Sequence, residues 1–171
     1  MHWIYWMKKQ LSTNQHKLKK IYRKGVGIML LNKEGKIFVG QRFDKDKSAW
    51  QMPQGGIDKG EKSVEALKRE LEEETGIKKN YKIIRKSKKK YKYELPSYLQ
   101  KKLWRGRFKG QEQRWFLLEF SGIDSEINIQ TEKPEFKKWK WVSKKELVEI
   151  IVPFKKELYI NVLNEFKDEL V

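Results

Sequence analysis

The chain has 171 residues and carries 40 Lys plus Arg against 23 Asp plus Glu, a net charge of +17, with no cysteine. That length suits one domain, or one domain with a tail, and can bury a core without staples. The missing cysteines exclude disulfides, thiolate metal sites and cysteine nucleophiles, and fit a reducing compartment such as the cytoplasm. No stretch approaches the roughly 20 apolar residues of a membrane span, so no membrane partner is expected. The opening MHWIYWMKK, with its apolar run ahead of its charges, makes a poor signal peptide. A content of 38% hydrophobic and 13% aromatic residues is too rich for disorder.

Residues 1–20 lack sustained periodicity and read as an N-terminal extension: a tail, a stretch upstream of a true start at Met7, or a small lid using Trp3, Tyr5 and Trp6. From residue 21 to 171 the pattern is that of one folded domain. Gly25–Leu31, the turn Asn32–Gly35 and Lys36–Arg42 predict a β-hairpin. Asp44–Ser48 is a polar loop, and Trp50–Gly60 (WQMPQGGIDKG) a shaped loop. Glu61–Thr75 predicts a helix with Val64, Leu67 and Leu71 on its apolar stripe and Gly76 as its stop.

Lys78–Lys92 holds nine Lys or Arg and no acid, with Tyr81, Ile83 and Tyr91 interleaved, so part of it can be strand. Leu95–Lys109 reads as a loop. Gln113–Phe120 and Lys137–Val142 are strands. Ser143 caps a short helix to Ile150, with Glu146 three residues on. Pro153–Leu170 is a final helix, apolar at Phe154, Leu158, Val162 and Phe166. Strands and helices mix without a regular βαβ beat, so the class is α/β or α+β, a mixed central sheet with helices on both faces.

The positive charge has two readings. One is a surface for a polyanion such as RNA or nucleotides. The other is compositional, because only seven of the basic residues are Arg and lysine excess is common with AT-rich codons. The acids are more specific. Glu70, Glu73 and Glu74 stand at i, i+3 and i+4, on one face of the helix, while Glu72 points elsewhere. Like charges on one stripe repel unless a cation lies over them, and hard oxygen ligands suit Mg²⁺ or Mn²⁺. A solvated acidic face is the plainer account of the same three residues.

Spacing decides between them. Gly55, five residues, Glu61, seven residues, Arg69-Glu70-Leu71, one residue, Glu73-Glu74, one residue, Gly76-Ile77 resembles the Nudix box with every fixed position filled. At about 7% usage per residue type, seven matches arise by chance roughly once in 10⁸. The resemblance implies a Nudix α/β/α sandwich that hydrolyses a nucleoside diphosphate linked to another group, with two or three Mg²⁺ held by Glu70, Glu73 and Glu74. It makes Arg69 structural, with Glu61 a partner. Independently, Gly55 and Gly56 would let backbone pass close to a ligand, and Glu61 at the helix start would favour the dipole.

Outside the box, YRKGVGIML (22–30), WQMPQGGID (50–58), YKYELP (91–96), GQEQRWFLLEF (110–120), EINIQT (126–131), PEFKKWKWVS (134–143) and PFKKELY (153–159) resemble one branch of that family, the bacterial RNA 5′-pyrophosphohydrolases, which overlap with dinucleoside polyphosphate hydrolases. The resemblance implies that Glu135 is a fourth metal ligand. It implies that Arg42 and Phe154 grip a base near the RNA 5′ end, with Val152 lining the same cleft. Arg23 matches a phosphate or base contact; Tyr93 and Lys92, with Gln54 and Gln111, match contacts to the polyphosphate. Trp50 packs. Two departures stand out: Pro153 in place of an expected serine, and a longer loop adding Lys45 and Lys47 near the base cleft. The implied enzyme is a monomer that removes pyrophosphate from triphosphorylated RNA and starts mRNA decay. Glu70 is its base, ahead of Glu74 and Glu73, and cleavage of diadenosine tetra- or pentaphosphate is the alternative.

Overall fold

A computed structural model describes residues 21–43 and 49–170. The N-terminal extension and the lysines at 45 and 47 lie outside the described residues. Seven strands form one mixed sheet: β1 (Ile21–Leu31), β2 (Ile37–Arg42), β3 (Trp50–Gln51), β4 (Gln54–Gly56), β5 (Tyr81–Glu94), β6 (Phe108–Phe120) and β7 (Phe136–Val142). The order is β3-β2-β1-β6-β5, with β4 also paired to β1 and β7 to β2. β1 and β6 run parallel, with Val26 opposite Arg114 and Leu31 opposite Glu119. The other pairings are antiparallel.

The period-two alternation of β1 and β6 builds two cores. Val26, Ile28 and Leu30, with Phe116, Leu118 and Phe120, face α1 (Ser63–Thr75) through its Ala66, Leu67 and Leu71. Met29 and Leu31, with Trp115 and Leu117, face the other way. There they meet Leu147 of α3 (Lys144–Ile150) and Leu158, Tyr159 and Val162 of α4 (Lys156–Glu165). A fourth helix, α2 (Ser97–Gln100), is a single turn. The result is the expected three-layer α/β/α arrangement. Each large side chain fully buried there contributes about 1.5–3 kcal/mol.

Local chemistry explains the element ends. Asn32 Oδ1 accepts from the backbone N–H groups of Glu34 and Lys36, and Gly35 takes φ 76°, which closes the β1–β2 turn. Gly76 ends α1 at φ 74° and donates its N–H to the Glu72 carbonyl at 2.9 Å. Ser143 accepts from the N–H of Glu146 at 3.1 Å, as expected of an N-cap.

Several expectations need correction. Glu61 is not in the first turn of α1: the cap is Lys62, and the first-turn acid is Glu65, whose Oε2 accepts from the Lys62 N–H at 3.1 Å. Val64 lies outside the apolar stripe at 39% exposure. The loop from Trp50 holds β3 and β4, and the lysine-rich segment is strand from Tyr81 to Glu94. The loop from Leu95 contains α2 and a 3-10 turn at Trp104–Gly106. The final helix is shorter than its pattern, because Pro153–Lys155 is a separate 3-10 turn and α4 ends at Glu165.

Candidate active site

The site forms where β4 meets α1. Arg69 is its hub. Its Nε and Nη2 donate to Glu61 at 2.9 and 2.8 Å, and Nη2 also reaches the Gly56 carbonyl at 2.8 Å. Its Nη1 donates to Glu70 Oε1 at 2.8 Å and lies 3.4 Å from Glu73 Oε2. These bonds, with the Asp58 N–H, hold the Glu61 carboxyl down at about 2. Burial pushes Glu70 up to about 7 despite the neighbouring guanidinium, and the charges of Glu73 and Glu135 add to the rise. Glu74 is 3% exposed. Burial first, then Glu70 and Glu135, raise it well above the ordinary carboxyl range, although Gln54 N–H donates to its Oε2 at 3.2 Å. Glu73 is exposed, as is Glu135 at the entry to β7.

Gly55 and Gly56 are needed by the site itself. A Cβ on Gly55 would overlap the Glu70 carboxyl group, and one on Gly56 would overlap the Arg23 guanidinium. Arg23 in turn stands 5.3 Å over the Trp104 ring.

Among the described residues no three acidic side chains converge into a ready-made cation cage. Arg69 draws Glu70 and Glu73 toward itself, and the Gln54 N–H draws Glu74. The donor chemistry nevertheless fits a hard divalent ion. The cluster is all oxygen; Glu70 and Glu135 raise the proton affinity of Glu74, and Glu73 and Glu135 that of Glu70, as carboxylates do when a shared positive charge would relieve them. Glu70, Glu73, Glu74 and Glu135 are the residues able to hold such an ion.

The remaining candidates lead away from Glu74. Gln54 Nε2 donates to the Tyr93 hydroxyl at 3.1 Å, and the Tyr93 ring lies 6.1 Å from that of Phe154. Burial raises the Tyr93 phenol, and the positive charges of Arg42 and Arg23 act on it in the opposite sense. Arg42 acts on Glu74 in the same way, which places its guanidinium within electrostatic reach of the acids. Val152 and Phe154 are half-buried against the core that includes Leu158. Lys92 is exposed and lies 3.6 Å from Glu112. Gln111, by contrast, is 1% exposed beneath Gly25 and accepts from Gln113 Nε2, so it presents no open surface to a substrate. Trp50 packs against the core, with Lys140 4.6 Å over its ring.

Sequence reasoning missed Lys155. It is 3% exposed, and its Nζ donates to Gln51 Oε1 at 2.8 Å and Gln54 Oε1 at 3.2 Å. That ammonium ties the 3-10 turn carrying Phe154 to the loop that holds Glu74. The only signal was its place after Phe154 in PFKKELY, where a Lys pair reads as a solvated helix face.

The fold, the glutamate-bearing helix and the glycine strand against it define a hydrolase scaffold of the kind the box implies. The NUDIX domain model matches residues 21–162, and this chain belongs to the Nudix family. It is 53% identical to an RNA pyrophosphohydrolase of Rickettsia bellii over 91% of this chain and 96% of that protein. It is 51% identical to one of Roseobacter denitrificans, over 87% and 94%. Among solved structures it resembles a C. elegans Ap4A hydrolase, with TM-score 0.64 and 22% identity over 86% of this chain and 97% of that one. It also resembles the E. coli dihydroneopterin triphosphate pyrophosphohydrolase, with TM-score 0.64 and 20% identity over 84% and 97%. At those identities the two structures bear on the fold alone.

Proposed function

We propose that this chain hydrolyses the 5′-triphosphate end of RNA, releasing pyrophosphate and leaving a 5′-monophosphate. The observation that carries the reading is the 51–55% identity, over most of the chain, to proteins named RNA pyrophosphohydrolase. The site's chemistry supports it. Glu70, Glu73, Glu74 and Glu135 would hold divalent cations, Mg²⁺ before Mn²⁺, two or three in number. When bound, such ions polarise phosphoryl oxygens and acidify an attacking water. Arg69 fixes Glu70 from the side, and Glu70 takes the water's proton, with Glu74 next in line. Arg42 and Phe154 clasp a base beside Val152. Arg23, Gln54 and Tyr93 orient the polyphosphate between base and acids. No helix among the described residues is long and apolar enough to cross a membrane. The proposed setting is a cytoplasmic monomer that starts transcript decay.

The test is product analysis on triphosphorylated RNA labelled at the γ-phosphate, with wild type and Glu73→Gln. Labelled pyrophosphate, and a loss of turnover of at least about 10²-fold in the variant with RNA binding largely retained, are expected. Unchanged turnover in the variant refutes the metal assignment. The second reading is asymmetric cleavage of diadenosine tetra- or pentaphosphate, favoured by the same pairing of a base grip with an acidic helix. Rapid turnover of that substrate with RNA ends untouched would replace the first reading.

A further inference from the structure

From Tyr93 and Phe154, which it shares with the proposed reaction site, the surface opens into a groove of about 360 Å³ whose other walls that reaction does not use. Its walls are Tyr22 of β1, Lys92 and Glu94 of β5, Phe154, and Glu157 and Asn161 of α4. The volume lies at the small end of the roughly 300–1,000 Å³ that ligand clefts span. It adjoins the reaction centre directly, because Tyr93 lines it while its hydroxyl bonds the side chain of Gln54, whose backbone N–H holds Glu74.

The lining chemistry selects a class of ligand. The Tyr22 ring lines one wall, its hydroxyl fixed by Glu94 Oε1 at 2.8 Å, and the ammonium groups of Lys92 and Lys109 lie over it, each 4.8 Å from the centroid, as cations that a stacking base would displace. Glu157 and Asn161, one helical turn apart, face the same space, and among the described residues neither side chain has a hydrogen bond or ion pair. Two carboxylates repel a phosphate but accept from exocyclic amino groups, and an amide both donates and accepts. A ring to stack on, beside acceptors for amino groups, fits a nucleobase. The phosphates that accompany a base find their counter-charge close by. β5 is the edge strand of the sheet, and Lys92, Lys90, Lys89, Lys88 and Lys86 are exposed along it, leading away from the groove. Lysines on an edge strand also deter association between sheets. That accounts for their presence but not for a groove with two unengaged hydrogen-bonding side chains.

We infer that this groove receives an unpaired base of the RNA chain downstream of the processed 5′ end, with the backbone then following the lysines of β5. The inference rests on the RNA reading above and adds to it a subsite of its own. A substrate long enough to reach the groove should bind more tightly than one that ends at the base grip.

The experiment compares KM and kcat for triphosphorylated oligoribonucleotides of two and six nucleotides, using wild type, Tyr22→Ala, Tyr22→Phe and Asn161→Ala. The wild type should show a lower KM for the longer RNA. Tyr22→Ala and Asn161→Ala should raise that KM about tenfold or more, the scale of a lost base stack, with a much smaller effect on the dinucleotide. Tyr22→Phe, which keeps the ring, should retain most of the advantage. Equal KM values for the two lengths in the wild type would overturn the subsite, as would variants that shift both lengths alike. An Asn161→Ala effect confined to diadenosine tetraphosphate would overturn it too, by assigning the groove to a second nucleoside. Cleavage of neither RNA would instead sink the parent reading.

Discussion

Replacing the two adjacent glycines of β4 one at a time should separate chemistry from binding. Neither has a positive φ, so alanine is conformationally allowed at both, and only space is contested. In Gly55→Ala the new methyl overlaps the Glu70 carboxyl group, the far end of a flexible side chain that can swing aside while the backbone stays. The swing gives up the 2.8 Å contact from Arg69 Nη1 to Glu70. A bond to a charged partner contributes about 1.5–3 kcal/mol, and the burial that already opposes Glu70's charge lowers the net loss to about 1–2 kcal/mol. For a chain of this size that is a fall in Tm of roughly 2–8 °C. Displacing the proposed base should cut kcat about 10²–10⁴-fold. In Gly56→Ala the methyl meets the Arg23 guanidinium instead. Losing a charge-assisted phosphate contact of about 1.4 kcal/mol raises KM tenfold, with kcat moved far less. The assay is pyrophosphate release from triphosphorylated RNA with kcat and KM resolved, beside thermal unfolding. A Gly55→Ala enzyme with wild-type kcat, or two variants sharing one kcat and KM pattern, would refute the assignment of these two positions.

Glu61→Gln should alter acid stability. The folded carboxyl is held at about 2 against an ordinary 4.5, so its contribution is full above 4.5 and is lost as pH falls from there toward 2; urea titrations at several pH values should show this step in the wild type and not in the variant. Arg85→Ala should cost about 1–3 kcal/mol, because Arg85 joins β5 to the last residue of α4 through Glu165 at 3.2 Å and the Glu165 carbonyl, and to the turn after it through Glu169 at 2.7 Å and Phe166, whose ring it overlies at 4.8 Å. A Tm within error of wild type would show those links to be idle. Tyr159→Phe should cost a similar 1–3 kcal/mol by leaving the buried Met52 N–H without the hydroxyl it now reaches at 2.7 Å; chemical denaturation gives the value, and a neutral result would mean that another acceptor replaces the hydroxyl.

The legible parts of this sequence are those whose pattern is local. Glu70, Glu73 and Glu74 share a helix side because 3.6-residue geometry requires it, and Gly76 ends that helix by a conformation few other residues adopt. The β1–β2 hairpin follows from its turn. The three-layer arrangement follows from β1 and β6, whose alternate residues are apolar on both faces. What stayed hidden depends on contacts distant in sequence. β5 reads as a charge run because an edge strand buries little: of its fourteen residues only Ser87 and Tyr93 are buried. β4 is three residues, too short for any period. Lys155 resembles a solvated lysine until folding brings Gln51 and Gln54 to its ammonium. The direction of the Glu70, Glu73 and Glu74 side chains is likewise a tertiary fact, set by Arg69 and the Gln54 N–H.

Arg69 presents an apparent conflict, since a guanidinium among proposed cation ligands is a competitor for their charge. Its anchoring resolves this. Two of its nitrogens donate to Glu61, and one of those also reaches the Gly56 carbonyl, all groups outside the proposed ligand set. Only Nη1 touches Glu70 and Glu73, one of these at 3.4 Å. Glu61 therefore does two things. Its hydrogen bonds are the largest of the effects that favour the charged guanidinium, and they keep the bidentate face of that arginine occupied. The carboxylates of Glu70 and Glu73 are steadied by a single donor each and remain able to turn toward a better cation. A lysine could not divide its bonds this way, because its one point charge has no fixed fork. The seven residues between Glu61 and Arg69 thus matter as geometry: they span from the loop before the helix cap to the helix's second turn, so one guanidinium can lock the glycine strand, the loop and the acidic face together.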